Sequence, residues 1–124
     1  MEEMKRLPDS EFEVMKAVWQ HEPPVTTSML MKDIGNEKGW KVPTLISFLK
    51  RLIRKGFLRT EKLGKERTYF PLVEKDEYLH YETEHFMKSY HGNSFLSLMH
   101  TFYEGKKLKK EEIQELKKLL DEEE

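Results

Sequence analysis

Nine lysines and arginines fall between residues 41 and 67 (Lys41, Lys50, Arg51, Arg54, Lys55, Arg59, Lys62, Lys65 and Arg67) against only Glu61 and Glu66. That local balance of +7 lies between a segment of -3 (residues 1–40, 5 against 8) and one of -5 (residues 74–124, 8 against 13). A basic block flanked by acidic ones suits a surface that meets phosphates. It equally suits a solvated helix followed by a charged hairpin, so charge alone leaves both readings open. Spacing adds information. At about 100° per residue, Leu45, Leu49, Leu52 and Ile53 share one helical face. Thr44, Ser47, Lys50, Arg51, Arg54 and Lys55 fall on the other. Short hydroxyls followed by cations suit a DNA major groove, where small polar groups approach base edges and longer ones reach guanine or phosphate. Thr44, Ser47, Arg51 and Arg54 are the expected base-edge residues. Lys50 and Lys55, with Lys62, Lys65 and Arg67 beyond the helix, are the expected phosphate contacts. The competing expectation is a protein-interaction module that docks this face on an acidic partner.

Other chemistry finds little support. His21, His80, His85, His91 and His100 are scattered, His80 and His85 lie on different faces of a helix, and no zinc motif occurs. No metal or cofactor is expected. The chain has no cysteine, so it has no disulfide framework and no thiolate ligand or nucleophile. The six glycines are scattered turn residues, no G-x-S-x-G elbow appears, and the carboxylates sit in solvated helices. An enzyme is not expected. The longest stretch free of Asp, Glu, Lys and Arg, Ser89 to Tyr103, is shorter than a bilayer crossing needs. The start, Met1-Glu2-Glu3-Met4-Lys5, is charged where a leader would be apolar. A cytoplasmic location without membrane insertion is the expectation.

The elements that would position the basic face follow in order. The first helix spans about Asp9 to Gln20, with Ser10 and Glu13 in capping-box spacing. Phe12, Met15 and Trp19 form its buried stripe, and His21-Glu22-Pro23-Pro24 ends it. A second helix follows Thr26 or Thr27 as far as Gly35 or Asn36. The third, with Pro43 in its first turn, runs to Lys55 before Gly56 stops it. Residues 57–62 and 67–72 read as a hairpin around Leu63-Gly64-Lys65-Glu66. Two helices, a basic helix and a hairpin with a cationic tip are the order of a winged helix-turn-helix.

The remainder forms three short amphipathic helices: Asp76 to Tyr90, with Tyr78, Leu79, Phe86 and Met87 as its apolar set, Ser94 to Tyr103 and Leu108 to Leu120. Such helices are too small to close a core alone. They are expected to pack against a second copy of themselves, with folding back on the winged domain as the alternative, and Phe86, Phe95, Leu98, Met99, Phe102, Ile113, Leu116 and Leu120 are the expected dimer contacts. The expected architecture is therefore mainly α. A winged helix DNA-binding domain with a small β wing (residues 1–73) precedes a helical dimerisation domain (residues 74–124).

The motifs in this order resemble the penicillinase repressors that control β-lactamase and methicillin-resistance genes in Gram-positive bacteria. The similar stretches are Ser10-Glu11-Phe12-Glu13-Val14-Met15-Lys16, Trp40 with Thr44, and Leu49-Lys50-Arg51-Leu52-Ile53-Arg54-Lys55-Gly56. Gly64-Lys65, Tyr69-Phe70-Pro71, the run from Gly92 to Leu98 and the run from Lys110 to Leu116 also match. The resemblance implies a homodimeric repressor on palindromic, double-stranded operator DNA. It further implies inactivation by cleavage in the C-terminal region, triggered by a membrane β-lactam sensor protease system. The bond matching the family's Asn–Phe cut is Thr101–Phe102. One departure stands out. The family usually carries a Ser cap and a Lys before the Thr, whereas this chain reads Lys41-Val42-Pro43-Thr44, so no operator sequence is implied. The absence of cysteine separates the chain from the related copper-responsive repressors.

Overall fold

The computed structural model describes residues 4–122, so Met1–Glu3 of the charged start and the last two glutamates lie outside it. Helix α1 (Asp9–Trp19) buries Val14, Met15, Ala17 and Val18. Pro8 occupies its N-cap with no side-chain bond, so Ser10 and Glu13 form no capping box. Ser10 lies inside the first turn, and Glu13 pairs with Lys16 at 2.9 Å instead. After the prolines, strand β1 (Val25–Thr26) leads into α2 (Thr27–Leu30), capped by the Thr26 hydroxyl, which accepts from the Met29 N–H at 3.1 Å. A π-helical turn, Met31–Gly35, and the short α3 (Asn36–Lys38) complete what the sequence presents as one helix. Gly39, at φ 74°, supplies the left-handed residue that ends it.

Helix α4 (Val42–Arg54) carries Pro43 in its first turn and buries Leu45, Leu49 and Leu52. Strands β2 (Leu58–Leu63) and β3 (Glu66–Pro71) form the hairpin, with Gly64 at φ 67° in the two-residue turn. The sheet has three antiparallel strands in the order β1-β3-β2, pairing Val25 with Tyr69 and Lys62 with Arg67. Two hydroxyls fasten the hairpin from within: Thr60 donates to the Thr68 carbonyl and Thr68 donates to that of Glu61. The core gathers Met15, Val18, Leu30, Leu45, Leu49, Leu52, Phe57 and Leu58, all close to fully buried.

Helix α5 (Lys75–His91) spans the boundary between two compact units, the first ending at Glu82 and the second beginning at Thr83. The expected boundary after Val73 lies nine residues earlier, and Tyr78 explains the difference. Its ring is wholly buried with Phe12, Trp19 and Phe57 at centroid distances of 5.7, 6.2 and 5.4 Å. Its hydroxyl accepts the Leu7 N–H at 2.8 Å, and the Trp19 indole donates to the Val73 carbonyl at 2.9 Å. Tyr78 thus belongs to the winged unit's core, not to the apolar set of the C-terminal helices. In the second unit, left-handed Gly92 and Asn93 end α5. Ser94 then caps α6 (Phe95–Glu104) by accepting the Ser97 N–H at 3.0 Å, and α7 (Lys110–Glu122) closes the chain. No residue from 83 to 122 is buried.

Candidate nucleic-acid interface

The burial of α4 divides its surface into three strips. Leu45, Leu49 and Leu52 face the core, while Thr44, Lys50, Arg51 and Arg54 are exposed and Ser47 is half-buried. Val42, Ile46 and Ile53 line a groove of about 940 Å³ shared with the α2 turn and the wing. Lys50, Lys65 and Arg67 border that groove together with Lys32. Lys62, opposite Arg67 on β2, is exposed beside it. The structure therefore brings one helix lysine and two wing cations together. Lys32 joins them although it belongs to a segment whose net charge is acidic.

Among the described residues, no carboxylate pairs with Lys50, Arg51, Arg54, Lys62, Lys65 or Arg67. Their positive potential is left to solvent and to whatever docks there. The Arg51 guanidinium lies 5.8 Å from the Phe48 ring centre, and Phe48 packs edge-on to Trp40 at 4.9 Å. Two other cations of the block are committed. Arg59 stacks 3.9 Å over Phe70 and bonds Glu61 at 2.8 Å. Lys55, expected among the phosphate contacts, donates instead to Glu11 at 2.5 Å. It turns to the α1 flank because it is the C-cap of α4, where the helical wheel has carried it past the exposed strip.

The wing is tethered beside its turn by Glu66, the first residue of β3, whose carboxylate accepts from the Ser28 hydroxyl at 2.7 Å and the Ser28 N–H at 3.2 Å. These bonds favour the charged form and hold the Glu66 carboxyl below its ordinary value. A second hollow, of about 340 Å³, opens among Lys5, Arg51, Arg54 and Lys55.

The C-terminal candidates share no closed site. Phe86, Phe95, Phe102 and Leu120 are exposed, and Leu98, Met99, Ile113 and Leu116 are half-buried. Thr101 and Phe102 lie on α6, with the Thr101 hydroxyl donating to the Ser97 carbonyl at 3.2 Å. The histidines form no metal cluster among the described residues: His21 pairs with Asp33, His85 meets Ser89 and His91 meets Ser97. No described helix is long and apolar enough to cross a membrane.

The model of the family described as Penicillinase repressor matches residues 7–122. The chain belongs to the penicillinase repressor family. It is 32% identical to the penicillinase repressor of Bacillus licheniformis over 96% of this chain and 94% of that protein. It is 29% identical to the methicillin resistance regulatory protein MecI of Staphylococcus aureus over 90% of each. Among solved structures, the DNA-binding domain of the repressor BlaI matches with a TM-score of 0.55 at 32% identity, covering 63% of this chain and 94% of that one. Monomeric BlaI of Bacillus licheniformis in complex with the blaP half-operator matches at 0.52 with the same coverage. The family consists of transcriptional repressors, and its members are not enzymes. The winged helix and the antibiotic-resistance relatives agree with what the motif order implies.

Proposed function

We propose that this chain is a transcriptional repressor that inserts α4 into the major groove of a palindromic operator and binds it as a homodimer in the cytoplasm. The observation that carries the reading is the unneutralised cationic face of α4 beside a cationic wing. Thr44 and Ser47 approach base edges, while Lys50, Lys62, Lys65 and Arg67 engage phosphates. The complex of the relative BlaI, in its monomeric form, with a half-operator supports the binding of operator DNA. The homodimer is supported by the second unit, in which no described residue is buried within one chain and Phe95, Leu96, Phe102, Leu119 and Leu120 of α6 and α7 are exposed. Relief of repression by cleavage at Thr101–Phe102, driven by a membrane β-lactam sensor protease, follows from the family resemblance. Salt titration tests the DNA reading. Several phosphate contacts make operator affinity fall about 10³-fold or more between about 50 and 200 mM salt. A chain that binds an acidic protein but no duplex under these conditions would be the interaction module instead.

A further inference from the structure

We propose that Lys5, acting with Arg51 and Arg54, forms a second phosphate-binding site that grips the DNA strand on the side of α4 away from the wing. The site rests on the DNA-binding reading above and extends it to a segment with no assigned role. Four cationic side chains, Lys5, Arg51, Arg54 and Lys55, line one hollow. The carboxylate of Glu11 answers only Lys55. Among the described residues, none pairs with Lys5, Arg51 or Arg54. Like charges around an unneutralised opening repel one another, and an anion bound there relieves the repulsion.

The segment that carries Lys5 is held in place. Leu7 is buried and donates its N–H to Tyr78, and Met4 packs against the core. Lys5 therefore stands between two anchored residues, so less entropy is lost when it meets a ligand. Its neighbour has another role: the Arg6 guanidinium bonds Glu82 at 2.6 Å. One of two adjacent cations thus serves the fold, and the other faces the hollow.

The ligand follows from position. Lys50 borders the wing groove, whereas Arg51, about 100° further round the helix, borders the hollow. Helix α4 accordingly runs between two cationic concavities. A helix lying in a major groove about 12 Å wide has a sugar–phosphate backbone along each side. The wing groove meets one backbone, and the Lys5 hollow meets the other. Guanidinium forks from Arg51 and Arg54 suit the two free oxygens of a phosphodiester. Arg51 and Arg54 on this account position the protein and do not read bases, which amends their expected role.

The test uses full-length protein with operator and random duplexes across a salt series. Lys5→Ala and Lys5→Gln should weaken both duplexes several-fold by a common factor. Each should also reduce the slope of log affinity against log salt by about 0.9, the loss of one phosphate contact. Lys65→Ala should do the same from the wing, and Lys16→Ala, paired with Glu13 on α1, should leave the slope unchanged. A single methylphosphonate moved along the strand away from the wing should cost the wild type affinity at one position and cost Lys5→Ala nothing there. Normal slopes in both Lys5 variants, with a reduced slope in Lys65→Ala, would overturn the second site and leave the DNA reading intact. Absence of salt-dependent operator binding by the wild type would overturn both.

Discussion

The ammonium of Lys55 sits 2.5 Å from the carboxylate of Glu11, which is only 2% exposed and would otherwise be an unpaired buried charge on α1. The pair fastens α1 to the C-terminal cap of α4. Lys55→Ala should therefore cost about 2–3 kcal/mol of stability, because it strands a buried carboxylate. It should leave the salt slope of DNA binding unchanged, in contrast to Lys50→Ala. Denaturant unfolding and a salt titration of the two variants separate these roles. A reduced salt slope for Lys55→Ala would return Lys55 to the phosphate contacts.

The pairing of Lys55 with Glu11 is not legible in the wheel. A two-face division assigns every non-apolar residue to solvent, yet the flanks of a helix packed on one side are themselves half-covered. The strong periods were legible: Leu45, Leu49 and Leu52 marked the buried stripe, and Gly64 marked the hairpin turn. Tyr78 was misassigned because α5 carries apolar residues for two different units, and one helical period cannot show a change of partner. Lys5 and Lys32 disappeared into a charge sum over forty residues that came out acidic. Tertiary neighbours, not segment charge, decide which cations converge.

Tyr78 supplies the second expectation. Tyr78→Phe keeps the ring among Phe12, Trp19 and Phe57 but removes the acceptor of the buried Leu7 N–H. It should lower stability by about 1–3 kcal/mol in denaturant unfolding. Burial raises the phenol above its ordinary value of 10.0. Wild-type stability should accordingly be complete below pH 10 and fall as pH rises through the higher folded value. The Phe variant should lack that alkaline loss. Equal alkaline sensitivity in both proteins would show that the Tyr78 hydroxyl is not its source.

Glu66 gives the wing the opposite dependence. Its carboxyl is held below 4.5 by the two bonds from Ser28. The tether should be intact at and above that value and loosen as pH falls through the lower folded value. Monitoring the Ser28 amide by NMR during acidification reports it directly. Glu66→Gln retains an acceptor but abolishes the titration, so its Ser28 amide should move little over the same range. An amide that titrates unchanged in Glu66→Gln would place the effect on another group.

Cleavage makes a separate demand on α6. A protease requires extended backbone, whereas Thr101 and Phe102 lie within a helix, where the Thr101 hydroxyl donates to the Ser97 carbonyl. In cells treated with a β-lactam, mass spectrometry should find fragments ending at Thr101 and beginning at Phe102. Thr101→Pro removes one helical N–H and breaks the local turn, and it should loosen the helix before any cut occurs. An intact chain released from its operator would leave repression standing without proteolysis.

The extent of the winged unit can be measured by truncation. A chain ending at Glu82 retains Tyr78, its bond from Leu7 and its ring contacts with Phe12, Trp19, Phe57 and Tyr81. A chain ending at Val73 loses them all and exposes Phe12 and Phe57. Removing so large a buried ring costs about 3–5 kcal/mol by analogy with aromatic truncations, a large part of the stability of a small domain. The Glu82 form should unfold cooperatively and sediment as a monomer, and the Val73 form should be largely unfolded at the same temperature. Operator affinity of the Glu82 form should fall steeply from that of the full chain, because two half-sites are no longer held by one particle. A Glu82 form that remained dimeric at micromolar concentration would place the dimer interface within the winged unit and leave the exposed faces of α6 and α7 without that role.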